Sequence, residues 1–167
     1  MALIIMGLTL IFLCLKKGDL KNWRVYYPTI LFYIVVDFSN VLLTSNKDLW
    51  EINGFWNDTL ADMFISFAIA PFVVILFLSN YPKKVTKQIG YILLYAAVFS
   101  IIEYIAGVLK GIVYYNGWNY GWSIMLYITA FILFGLHHKN PLWAWLLLLI
   151  LTGAVLLFFK ISLLNLK

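Results

Sequence analysis

Apolar residues run along the chain in six long stretches, residues 2–15, 26–44, 59–79, 89–109, 117–136 and 141–159, with short polar segments between them. About 20 apolar residues wound as a helix cross the ~30 Å hydrocarbon core of a bilayer. The pattern therefore predicts an all-α polytopic transmembrane bundle of six helices, or five if the first does not span. At 1.5 Å per residue the first stretch rises only about 21 Å, and Lys16 and Lys17 extend its reach by snorkelling to the interface. A secretory signal carries its basic residues ahead of the apolar run; here they follow it, so a retained helix is expected. No segment is long or polar enough for a soluble domain, and residues 1–167 are expected to form one transmembrane bundle.

The punctuation fits this division. Tyr81-Pro82 and Asn140-Pro141 mark helix ends, and Asn116-Gly117 marks a turn. Pro71 lies inside the third stretch, lacks the N–H for one helical bond and should kink it. Tyr26, Tyr27, Trp50, Trp56, Tyr114, Tyr115, Trp118 and Trp143 fall near span ends, where an aromatic belt is expected.

Three carboxylates break the apolar pattern: Asp37, Asp62 and Glu103. An ionised side chain in hydrocarbon costs about 3 kcal/mol on insertion scales, so each is a candidate functional group. Asp37 shares a helical face with Tyr33, Asn40 and Thr44, spaced three or four residues apart. The other side of that helix is Ile, Leu, Val and Phe, so the polar face should point into the bundle. Asp62 and Ser66 share a face of the third stretch; Ala96, Ser100, Glu103 and Gly107 share a face of the fourth. Asp37 comes ten residues after Tyr27, about 15 Å into the membrane. Asp62 and Glu103 lie in the far half, and residues 116–123 join them there.

These positions predict a polar pocket open to the outside and rimmed by Tyr and Trp. Its ligand-binding candidates are Tyr33, Asp37, Asn40, Asp62, Ser100, Glu103, Tyr104, Asn116, Trp118, Asn119 and Trp122, with Asp37 and Glu103 the candidates for a catalytic acid. Plainer roles compete. Asp62 suits a wet helix N-terminus, Glu103 suits hydrogen-bonded glue between helices, and Trp118 and Trp122 suit the belt. No Lys or Arg falls at matching depth, so desolvation is expected to leave at least one acid neutral at pH 7.

Composition narrows the classes of function. The chain is 64% hydrophobic and 11% charged, against about 25% charged in soluble domains. Its net charge of +5 comes from basic residues in the loops, which offers no basic face on a soluble surface for nucleic acid. Cys14 is the single cysteine and reads as a packing residue. With His137 and His138 the only histidines, neither a metal site nor a cofactor is expected, and the pair reads as ordinary interfacial residues. Loops 16–25, 80–88 and 136–140 hold eight Lys and Arg against four on the opposite side. The positive-inside rule places those loops in the cytoplasm.

Four blocks occur in order: Tyr27-Pro28-Thr29 leading to Asp37; Ile102-Glu103-Tyr104; Tyr115-Asn116-Gly117-Trp118-Asn119 with Trp122-Ser123; and His138 through Trp145. Over most of the chain after residue 25 they resemble a family of small multi-pass membrane proteins of Bacillus and related spore-forming Firmicutes. In that family a Tyr-Asn pair follows the acid of the second helix; here the order is Asp37-Phe38-Ser39-Asn40. The resemblance implies a multi-pass protein of a bacterial cytoplasmic membrane and picks out Asp37, Glu103, Asn116, Trp118 and Asn119. It implies no reaction.

Three functions suit these residues: binding or translocation of a small cationic or polyol-like solute; an intramembrane enzyme using carboxylic acids on an isoprenoid or lipid; and a structural subunit whose acids face a partner membrane chain or a second copy. The expected partners are thus the bilayer, a small-molecule or lipid ligand, or another membrane subunit. The topology is testable first. With Cys14→Ser as background and Lys84→Cys as probe, a membrane-impermeant maleimide should leave intact cells unlabelled and react once they are opened. Strong labelling of intact cells at this position would refute the orientation.

Overall fold

The computed structural model of the chain describes residues 2–53 and 58–162; Trp56 lies outside them. Helix α1 covers Ala2–Lys17 and, after a 3-10 turn at Leu20–Asn22, α2 covers Trp23–Thr44. Helix α3 (Asp58–Phe64) passes through a π-helical turn at Ile65–Ile69 into α4 (Ala70–Ser79), and α5 (Val85–Val108), α6 (Tyr120–Lys139) and α7 (Pro141–Phe158) follow. Five segments are long and apolar enough to cross a membrane: Leu20–Thr44, Leu60–Ser79, Val85–Val108, Tyr120–Lys139 and Pro141–Phe158. This is the pattern of a multi-pass membrane protein. Helix α1, at 16 residues, is not among the five, yet it packs along α4 and the π turn.

Helix α4 is the centre. Val73 through Leu78 are all buried, and α1, α2 and α6 pack around them. Phe77, fully buried, meets the rings of Tyr91, Tyr95, Phe131 and Phe134. Small residues let the helices close up. Gly135 of α6 lies under Tyr81, where an added Cβ would sit 2.7 Å from the ring's Cζ. Helix α7 is the periphery, packing on α6 and burying only Ala144 fully.

The expected break at Pro71 takes a definite form. A proline cannot donate to the carbonyl four residues earlier. The chain widens into the π turn just before it, where the Ala70 N–H bonds the Ile65 carbonyl five residues back. Several helix starts differ from expectation: α5 begins at Val85, four residues before the expected stretch. Helix α2 begins at Trp23, with Pro28 inside it. Helix α6 begins at Tyr120, because Asn119 caps it by accepting from the Gly121 N–H at 2.9 Å.

A feature absent from the expected topology closes one end. Strands β1 (Trp50–Ile52) and β2 (Ile112–Tyr114) pair antiparallel, Trp50 opposite Tyr114 and Ile52 opposite Ile112. This ribbon joins the segments after α2 and after α5. Beyond it Asn116 and Gly117 adopt positive φ, 52° and 89°, in the expected turn. The opposite end gathers the basic residues. The Asn80 Nδ2 donates to the Lys17 carbonyl, Tyr26 stacks on His138, and Lys139 lies over the Tyr81 ring. All eight Lys and Arg of that end are exposed.

The Gly135 contact yields a prediction. Gly135→Leu should lower the thermal stability of the detergent-solubilised protein by about 1–3 kcal/mol through overpacking. Adding Tyr81→Ala should recover part of the loss. A Gly135→Leu protein as stable as the wild type would show that α6 does not approach this closely.

Candidate functional site

The π turn places Ser66, fully buried, against α2. Its hydroxyl donates to Asp37 Oδ2, and the Tyr33 hydroxyl, one turn earlier on α2, also bonds this carboxyl. Helical spacing dictates the pairing of Tyr33 with Asp37, and the widened turn supplies Ser66. A buried polar group is costly unless hydrogen-bonded, so hydroxyls here stand where a Lys or Arg would otherwise be needed.

Asp37 faces a cavity of about 490 Å³ bounded by α2, the π turn, α4, α6 and α7. Tyr33, Asn40 and Thr44 line it too, so the whole expected stripe of α2 faces inward. Trp118 and Trp122 line its ribbon end. Trp118 is buried there, its Nε1 donating to Ser123 Oγ at 3.0 Å, with Trp50 and Phe159 packed on it at 4.9 and 5.3 Å. Trp50 and Trp118 therefore form a plug inside the protein instead of a belt against lipid. Tyr27 and Trp143 are exposed, as a belt requires.

Glu103 is buried in a second polar cluster. Tyr114 of β2 donates to its Oε1 at 2.5 Å, and Tyr127 of α6 donates to its Oε2. Burial and then the bond to Glu103 push the Tyr114 phenol up from its ordinary pKa. Asp37 thus lines the cavity and Glu103 does not, Tyr127 being the cavity-lining residue that reaches Glu103.

Other expected members take different places. Tyr104 is 60% exposed on the outer face of α5, against Tyr120. One residue along a helix turns about 100°, which carries it away from the face of Glu103. Ser100 is buried beside Glu103 but does not line the cavity; its carbonyl accepts from Tyr120, while its own hydroxyl lacks a partner among the described residues. Asp62 is half-buried one turn before Ser66, near enough to act on the Tyr33 phenol, and outside the lining. Asn116 and Asn119 are exposed and hold backbone: Asn116 Nδ2 donates to the Asp48 carbonyl at 2.7 Å, and Asn119 caps α6.

Sequence reasoning missed His137. It lies in the last turn of α6 and not in a loop, buried, its Nδ1 3.1 Å from Thr29 Oγ1 and its ring stacked on Phe32 at 4.3 Å. Trp145 meets Phe32 edge-on at 4.8 Å. This cluster stops the other end of the cavity. Among the described residues no group of three potential metal ligands occurs. No protein-family model, curated protein or solved structure matches the chain, so the geometry carries the functional argument.

The hydroxyl partners of Asp37 set an expectation for its variants. Asp37→Asn keeps an acceptor for Ser66 and should unfold close to the wild-type temperature. Asp37→Leu leaves the Ser66 and Tyr33 hydroxyls unpaired and should lose about 1–3 kcal/mol. Thermal unfolding of the three purified proteins decides between them. Equal damage in both variants would mean that a full negative charge with a cationic partner, and not hydroxyl bonding, holds this site together.

Proposed function

We propose that this membrane protein binds a small cationic amphiphile in the α2–α6–α7 cavity, with the ligand's polar head at Asp37 and its apolar body among the surrounding rings and aliphatic chains. One observation carries the reading. Asp37 is the one Asp, Glu, Lys or Arg side chain among the cavity-lining residues, and apart from tyrosines, threonines and Asn40 the rest of the lining is apolar or tryptophan. Keeping a carboxyl in a membrane interior costs several kcal/mol, and a cation that pairs with it returns part of that cost. Aromatic faces such as Tyr33, Trp118, Trp122 and Tyr127 add cation–π attraction. The volume lies within the range of about 300–1,000 Å³ usual for small-molecule sites.

The apolar lining favours an amphiphile over a polyol. A carboxyl turned inward to a cavity supports ligand binding over a structural subunit, whose acid would face another chain. Binding also needs fewer assumptions than catalysis, since Asp37 is the sole carboxyl at the cavity. The positive-inside bias of the eight-residue basic end supports placing that end in the cytoplasm and Asp37 toward the middle of the membrane. The resemblance to the Bacillus-type family is compatible with this reading and supplies no ligand.

Mass spectrometry of small molecules copurifying with the protein tests the reading. A cationic amphiphile should be retained by the wild type and depleted about tenfold or more in Asp37→Leu, the ratio expected from losing a hydrogen bond to a charged group worth ~1.5–3 kcal/mol. Equal retention by both proteins would overturn it.

A further inference from the structure

The two ends of the cavity are stopped in different ways. At the basic end Phe32, Leu133 and Ala144 form one buried cluster, with His137 and Trp145 against Phe32. At the ribbon end Leu49, Trp118, Phe159 and Ile161 form another. There Lys47 Nζ donates to the Phe159 carbonyl at 2.6 Å, and Asn46 Nδ2 to the Ser162 carbonyl at 2.5 Å. Helix α7 is therefore tied to α2 at both tips. Beyond Val36 and Leu148, which both pack on the Phe32 cluster, the main packing partner of α7 is α6, and those of α2 are α4 and α6. Cavity-lining residues occupy both sides of the interval, Val36, Asn40 and Leu43 on α2 and Leu148, Thr152 and Val155 on α7.

We infer that the cavity is loaded sideways from the bilayer, through the seam between α2 and α7, and that its occupant is a single-chain amphiphilic amine. This rests on the reading that Asp37 holds a cationic head. The argument for the route is one of solvents. An aqueous solute would have to pass the aromatic plug at Trp50, Trp118 and Phe159, whereas a molecule already dissolved in lipid meets a seam between two apolar helices. The argument for the occupant is one of depth and charge. A lone carboxyl near mid-membrane selects a protonated amine, and the apolar walls accept the chain that carries it there. The tip contacts pair Phe32 with Trp145 and Lys47 with Phe159. In that parallel register Asn40 and Thr152 lie level with each other, one on each lip of the seam.

The experiment bridges the seam. Asn40→Cys and Thr152→Cys are introduced together in a Cys14→Ser protein, reconstituted in phosphatidylcholine liposomes, and joined by a short bis-maleimide. The probe is a dodecylamine bearing a photoreactive diazirine, with the matching alcohol and carboxylic acid for comparison. Without the bridge, the amine should label cavity-lining residues of α2, α6 and α7 at least about tenfold more than the acid does. Bridging before the probe is added should abolish this labelling. Bridging after loading should trap the probe, so that labelling survives transfer to probe-free liposomes. Labelling of the cavity unaffected by the bridge would overturn the lateral route while upholding the binding reading. Equal labelling by the three probes would overturn the amine assignment, and no labelling of the unbridged cavity would overturn the binding reading as well. Failure of the two thiols to bridge at all would show that Asn40 and Thr152 do not face each other across an opening, and would also end the inference.

Discussion

A carboxyl group inside a hydrocarbon layer must bring its own hydrogen-bond donors, and much of this fold follows from where the donors come from. Among the described residues neither Asp37 nor Glu103 is bonded by a cationic side chain, so hydroxyls do the work. Asp37 takes Ser66 and Tyr33; Glu103 takes Tyr114 and Tyr127. The bonds from Ser66, Tyr114 and Tyr127 each tie elements that packing alone would leave free to slide. Ser66 meets α2 from within the widened turn that precedes Pro71, so a helix defect and a polar contact occur together. Widened turns of this kind recur at functional sites.

The distribution of burial around this network is uneven in a useful way. Helix α4 is sequestered nearly throughout and makes the stiff centre, whereas α7 is an apolar stave fastened at its tips. A protein core closes on itself at high packing density, and the cavity that α7 helps to line is where this one does not. The lone carboxyl of the lining is held from the packed side, by Ser66 of the π turn.

Much of this was legible in the sequence, for reasons that can be named. Span positions follow from apolar length, and the Tyr33–Asp37–Asn40–Thr44 stripe follows from helical periodicity; all four residues face the cavity as expected. What was illegible is mostly non-local. Nothing near Glu103 in the sequence announces Tyr127, which arrives from another helix, and its neighbour Tyr104 misleads because adjacency along a helix is not adjacency in space. The ribbon joins two three-residue strands more than fifty residues apart, too short to show alternation. Asn116 and Asn119 attracted attention as polar residues near a membrane surface, but their work is local, in a turn and a cap. The α7 wall of the cavity is written almost wholly in aliphatic residues, which look the same whether they face lipid, a neighbouring helix or a ligand.

The ribbon has a consequence for biosynthesis. Trp50 must await Tyr114, its partner across the strands, and at 5–20 residues per second the interval on the ribosome is about 3–13 s. During that time α2 and α4 can already be docked through Asp37 and Ser66, while the end of the protein carrying Trp50 stands open. That end closes only when α5 has crossed and turned back, and α7 fastens to it later still. The nascent protein can therefore carry its carboxyl site already built while that end is still unroofed.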